Sequence, residues 1–212
     1  MGHADHGQPR PDDADVTRAS LLSRVRAVGD GAAWTEFEAR YRELVYSYCR
    51  RQGLQHVDAE DCTQAVLVNM VRFLPGFQYD RERGRFRDYL HRCTKNIIIR
   101  YRSRPANAPA RVELDMHDLF AHPRATSTEL ETAWEEEWAA HHMRRALAAV
   151  REHVAPQTMA IFEACLRGLS AADVARECGV STDSVQKAKQ RMRDRLQAQI
   201  RLQIEEEDGA HG

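Results

Sequence analysis

Apolar residues recur along this chain at the spacing of amphipathic helices and never alternate as a strand would require, so the pattern predicts an all-α protein. Residues 1–16 are rich in Gly, His, Pro and Asp without any period, and are expected to be disordered. Thr17 to Val28 carries Leu21, Leu22, Val25 and Val28 at helical spacing, and Gly29-Asp30-Gly31 breaks it. In the next helix Trp34, Phe37, Tyr41, Leu44, Val45 and Tyr48 trace one stripe up to Gly53, placed as a C-terminal cap; such an aromatic stripe reads as packing. Asp58 is expected to cap a third helix whose inner face is Cys62, Ala65, Val66, Met70 and Phe73 and whose end is Pro75-Gly76. Its outer face, with Asp58, Asp61, Gln64 and Asn69, is polar. A fourth helix turns Phe86, Leu90, Cys93, Ile97 and Tyr101 inward, with Arg87, Arg92, Lys95, Asn96 and Arg100 on or beside an exposed side.

Pro105 stops that helix and opens a long, acidic, weakly periodic connector to about Thr132. A second helical region begins with Trp134, Trp138, Met143, Ala146, Leu147 and Val150, and restarts at Pro156 with Met159, Phe162, Cys165 and Leu166. From Leu169 to Leu196 the pattern is two helices joined by a tight turn. Gly179 stands where positive φ is favoured, and Ser181 is placed to cap the second helix. That helix turns Val185, Ala188, Met192 and Leu196 to one face and Ser184, Lys187 and Arg191 to another, as a helix-turn-helix suited to a DNA major groove would. An ordinary helical hairpin with a solvated basic face is the alternative reading.

Charge sharpens this picture through its distribution. With 31 basic and 32 acidic residues the net charge is −1, which taken alone argues against a nucleic-acid partner. Yet Asp80 to Arg104 and Ser184 to Arg201 are strongly basic, while Glu113, Asp115, Asp118, Glu129, Glu131 and Glu135 to Glu137 face only Arg124. Phosphates respond to local charge, because salt screens anything beyond about 8 Å. Five scattered cysteines without a Cys-x-x-Cys pair read as buried thiols; a zinc site joining them to His141 and His142 has no support from spacing. A helical metal-dependent hydrolase using His141, His142 and Glu137 fares no better, and no catalytic set or cofactor motif is recognisable, so the chain is not expected to be an enzyme. With no long apolar run and no apolar leader, a cytoplasmic protein without a membrane association is expected.

The segments DAEDCTQAVLVNMVRFLPGFQYD and RGRFRDYLHRCTKNIIIRYRSR, followed by an acidic connector and a helix-turn-helix, resemble a bacterial RNA polymerase sigma factor of the sigma-70 family, extracytoplasmic-function type, over about Ala19 to Ile200. The resemblance implies two small helical domains: a region 2-like bundle over 17–104 and a region 4-like helix-turn-helix over 133–204. An acidic linker over 105–132 joins them, and a disordered acidic tail follows at 205–212. It implies docking on the clamp and flap of core RNA polymerase and recognition of promoter DNA, and it allows an anti-sigma factor as a further partner. Asp58, Asp61 and Gln64 match the clamp-binding helix. Tyr89, Arg92, Lys95, Asn96, Arg100 and Arg102 match the part that recognises and melts the minus 10 element. Thr182, Ser184, Lys187, Gln190 and Arg191 fall where the minus 35 element is read, although SVQKAKQRMRDRL departs from the family's common V-x-S-R-L-x-R-A form. By the same resemblance the acidic connector, through Glu113, Asp115 and Asp118, would thread toward the RNA path. Trp134, Trp138 and the run Glu135 to Glu137 gain no role beyond extending the second domain. A stand-alone helix-turn-helix regulator is the competing function.

Overall fold

The computed structural model describes residues 21–27, 29–74, 86–104 and 128–208, and among these every regular element is a helix. The N-terminal tail, Pro75-Gly76, the arginines between Asp80 and Gly84, Arg85, and the connector with Glu113, Asp115 and Asp118 lie outside the described residues. In chain order the helices are α1 (Leu21–Arg26), α2 (Gly31–Arg51), α3 (His56–Phe73), α4 (Phe86–Ser103), α5 (Thr128–Arg151), α6 (Pro156–Leu166), α7 (Ala171–Cys178) and α8 (Thr182–Asp208).

The local signals account for most of the boundaries. Asp30 caps α2 by accepting from the Ala33 amide at 2.8 Å. Gly53, at φ 87°, turns the chain after α2. Pro156 opens α6, where its missing N–H costs nothing. The third helix departs from expectation: it begins at His56, with Gln55 at the cap position, and Asp58 lies inside its first turn. There Asp58 accepts from the Tyr101 hydroxyl of α4 and ties the two helices together.

α3 sits between α2 and α4, and the three enclose the first core. Phe37, Tyr41, Leu44, Tyr48, Val66, Met70, Leu90 and Ile97 are buried there, as the helical stripes require. Cys49, Cys62 and Cys93 are buried free thiols whose ionisation burial pushes upward. Asn69, expected on the outer face of α3, is buried and donates to the Ala65 carbonyl at 2.7 Å, so it satisfies itself inside the helix.

α5 connects two cores. Its first half inserts Trp134 and Trp138 among the α2 and α4 side chains, so these rings belong to the first core rather than the second. Its second half places Ala146 and Val150 against Met159 of α6 and Met192 and Leu196 of α8. Burying one tryptophan removes 150–250 Å² from water, worth roughly 4–6 kcal/mol. The long α8 runs back along α5 and stays helical to Asp208, past the expected start of the tail. Glu207 is the reason. It is buried, accepting from the Tyr41 hydroxyl at 2.9 Å and from Arg145 at 3.3 Å, with His142 Nε2 3.3 Å from its other oxygen. Arg40 pairs with the adjacent Glu206 at 3.2 Å.

Candidate nucleic-acid and protein-docking surfaces

Three surfaces carry the candidate residues. The first is the outer face of α3, where Asp61 and Gln64 are exposed. Val57, Val68 and Val71 share that face at i, i+11, i+14 spacing and are 67%, 46% and 51% exposed. Large apolar side chains in a row facing water mark a docking surface more often than a solvated one. Arg42 borders the face, pairing with Glu60 and donating to Gln64 at 3.4 Å. Asp58 stands apart from this face, because its carboxylate is occupied by Tyr101.

The second surface is α4. Arg92, Asn96 and Arg100 are half-buried along it, Arg102 is exposed and donates to the Gln52 carbonyl, and Ile99 is 48% exposed beside them. The Arg104 guanidinium stacks over the Tyr101 ring at 4.2 Å. Two candidates are not on the surface. Tyr89 is buried in the first core, because the turn of α4 that carries it faces α2 and α3. Lys95 is 8% exposed, and its Nζ has no hydrogen-bond partner among the described residues. Burial lowers the Lys95 pKa, with the Glu131 carboxylate of α5 pulling the other way.

Side chains of α5 reach α4 close to Lys95. On this side Trp134 stacks flat on His91, ring centroids 4.7 Å apart and planes 12° off parallel. His91 reaches Tyr48 at 3.1 Å and is held neutral by burial, with Lys95 next in effect; its pKa falls to about 4. Glu135 pairs with Arg87, whose guanidinium lies 5.5 Å from the Trp138 ring, and Glu136 and Glu137 pair with Arg51. Nothing in the helical periodicity pointed to this contact; the only signal was an acidic run flanked by two tryptophans facing a basic helix.

The third surface belongs to α7 and α8. Ser170 caps α7, accepting from the Asp173 amide at 3.2 Å. Gly179 ends it in the left-handed region, φ 64° and ψ 37°. Ser181 accepts from the Ser184 amide at 3.1 Å and starts α8. Val174, Ala175, Val185 and Ala188 pack at the crossing with Ile161 and Ala164 of α6. This leaves Thr182, Lys187, Gln190 and Arg191 exposed and Ser184 half-buried, so all five candidates lie on one side of α8. Lys187 and Gln190 make only along-helix contacts, to Asp183 and Asp194, both at 2.8 Å, that a ligand can displace at small cost.

Comparison with known proteins separates these surfaces. The family model of sigma-70 region 2 matches residues 39–107. Over those residues the chain is similar to the sigma-70 family. A relative, the ECF RNA polymerase sigma factor SigE of Mycolicibacterium smegmatis, is 36% identical over 77 residues, which make up 34% of this chain and 28% of that protein. The matching chain thus spans less than a third of that relative's length. A solved structure of CnrH in complex with the cytosolic domain of CnrY aligns with 84% of this chain and 94% of that one, at 20% identity and a TM-score of 0.33. The matched residues contain most of α2, all of α3 and all of α4, and with them the valine-rich face and the basic helix. α5 and the helix-turn-helix lie beyond the matched residues.

Among the described residues no group of three or more His, Cys, Asp or Glu side chains converges as a metal site, and no helix is long and apolar enough to cross a membrane. His141 and His142 are buried in the seam with α8, where His142 Nδ1 and the Gln203 amide lie 2.9 Å apart.

Proposed function

We propose that this chain is a sigma factor of the extracytoplasmic-function type, which binds bacterial core RNA polymerase in the cytoplasm and directs it to a subset of promoters. The observation that carries the reading is the pairing, within the residues matched by region 2, of an exposed valine and acid face on α3 with a basic face on the adjoining α4. A flat helix face with apolar residues at its centre and charges at its rim suits a helical partner such as the clamp coiled coil. Asp61, Gln64 and the valines make that contact, and Asp58 supports it by anchoring α4. Arg92, Asn96, Arg100 and Arg102 take the minus 10 element. Guanidinium groups bind its phosphates, and the amide of Asn96 reads a base taken out of the stack at a cost of a few kcal/mol. Thr182, Ser184, Lys187, Gln190 and Arg191 read the minus 35 element in the major groove, with the flap touching the same domain. The chemistry of RNA synthesis stays with the polymerase.

Co-purification with core polymerase at low salt, followed by transcription from a random promoter library, tests the reading. A sigma factor yields a stoichiometric complex and transcripts that share two spaced sequence elements. A chain that binds one duplex sequence tightly without polymerase, and adds nothing to polymerase, is a stand-alone regulator instead.

A further inference from the structure

One row of α4 continues past the residues already given to the strand. Arg92, Asn96 and Arg100 stand at i, i+4 and i+8, and the next position of that row is Arg104, immediately after the last helical residue, Ser103. All four are half-buried. Arg104 differs in how it is held. Its guanidinium lies over the Tyr101 ring, 4.2 Å from the centroid, and its buried Nη1 has no hydrogen-bond partner among the described residues. A planar cation already stacked on a ring loses little freedom when it meets a phosphate, and its fork of donors suits one.

Tyr101 is itself fixed from the neighbouring helix. Its ring packs on the first core, and its hydroxyl donates to Asp58 in the first turn of α3. That hydrogen bond, with burial adding to it, pushes the hydroxyl pKa up to about 12, so the group stays a donor at any ordinary pH. Beside it Arg102 donates to the Gln52 carbonyl and pins the same end of α4 to the turn after α2. Helix ends fray when nothing ties them, and a side chain one residue beyond the last turn then has no fixed direction. Asp58 therefore does more than join two helices: it sets the ring on which Arg104 lies.

We propose that Arg104 is a further strand-binding residue, taking a backbone phosphate at the end of the row Arg92, Asn96 and Arg100, and that Tyr101 and Asp58 are positioning residues that hold its guanidinium in place. The proposal rests on the sigma-factor reading for the identity of the strand, the separated minus 10 element. The contact is an ion pair with a phosphodiester and is indifferent to the base. It follows that Asp58, an anion, strengthens the binding of a polyanion, the reverse of what its charge alone would do.

The test titrates the full chain with labelled single-stranded DNA of random sequence at several salt concentrations. Arg104→Ala should bind on the order of tenfold more weakly and flatten the dependence of log affinity on log salt by about 0.7, the share of one single-strand phosphate. Tyr101→Phe removes no charge, yet should reproduce most of both losses, and Tyr101→Phe/Arg104→Ala should be no weaker than Arg104→Ala alone. Asp58→Ala should weaken binding, whereas Asp58→Asn, which keeps an acceptor oxygen for Tyr101, should stay close to the parent. Arg144→Ala, at an exposed position of α5, should leave the salt dependence unchanged. An unchanged salt dependence in Tyr101→Phe, additive losses in the double variant, tighter binding by Asp58→Ala, an equal flattening in Arg144→Ala, or no strand binding by the parent would overturn the proposal. Core polymerase association, measured on the same proteins, is independent. Its absence in the parent removes the sigma reading, whereas its presence alongside any of those results removes only the role of Arg104 and its supports.

Discussion

The two places where helices meet α8 are built on different principles. At the helix-turn-helix the contacts are short-range in sequence, apolar and complete: Val174, Ala175, Val185 and Ala188 close on one another, and both helix starts are capped by serine. At the far end of α8 the contacts are long-range and polar. Glu207 joins Tyr41, Arg145 and His142, and the neighbouring α5 rests on region 2 over donors that lack partners. The first junction is a fixed, locally determined unit. The second is a clasp held by charge and hydrogen bonds across distant parts of the chain.

The largest way to break this contrast is at Trp134. Trp134→Ala should cost about 3–5 kcal/mol in urea unfolding, as large-to-small core changes do, and should release α5 from region 2 while leaving the helix-turn-helix folded. Glu207→Ala comes next. It strips the Tyr41 hydroxyl and the Arg145 guanidinium of their shared acceptor, for about 1–3 kcal/mol, and should be read as a loss of helicity at the end of α8. Gly179→Ala meets no atom within 4 Å, so its cost is purely that of a left-handed alanine, about 1–2 kcal/mol in the same urea unfolding. Because the two junctions share no partners, Trp134→Ala and Gly179→Ala should be additive within about 0.5 kcal/mol; clear coupling would mean they are one unit.

The smallest expected effect is on pH. His91 faces Lys95, Arg87, Glu131 and Asp88, and His141 faces Arg145, His142, Arg144 and Arg40; burial holds both neutral, at about 4 and about 3. Their folded-state values lie below the unfolded one, so the unfolded chain takes up protons first as pH falls below about 6.5, and stability is lost from there downward. Unfolding midpoints compared at about pH 7 and about pH 5 should fall toward acid, and His91→Phe, which keeps a ring and removes the proton, should flatten part of that slope.

How much of this was legible in the chain depends on contact range. The helix-turn-helix was readable to the residue, because Gly179 and Ser181 act on backbone within one turn of themselves. The stripes of α2, α3 and α4 were readable as faces, because period alone decides which side is buried. Period does not say which helix meets which. Trp134 and Trp138 looked like the start of the second domain because their helix leads there, and only the tertiary packing turns them back onto region 2. Lys95 and Tyr89 were placed on the DNA side by resemblance, but both are buried, Tyr89 within the first core. Asp58 and Asn69 read as a cap and a solvated amide, and each found a closer partner. Glu207 lay in a run of acids that resembled a solvated tail, with no local sign that Tyr41 would receive it.

Native-state hydrogen exchange of the free chain, resolved along α5 and α3, tests the difference between the locally built and the long-range junction most directly. Amides of residues 131–142 should exchange through a partial opening of markedly lower free energy than those of residues 59–70, with α6 to α8 still protected. If α5 and α3 instead exchange together, only in the global unfolding of the chain, then α5 is an integral part of the first core and the contrast between the junctions fails.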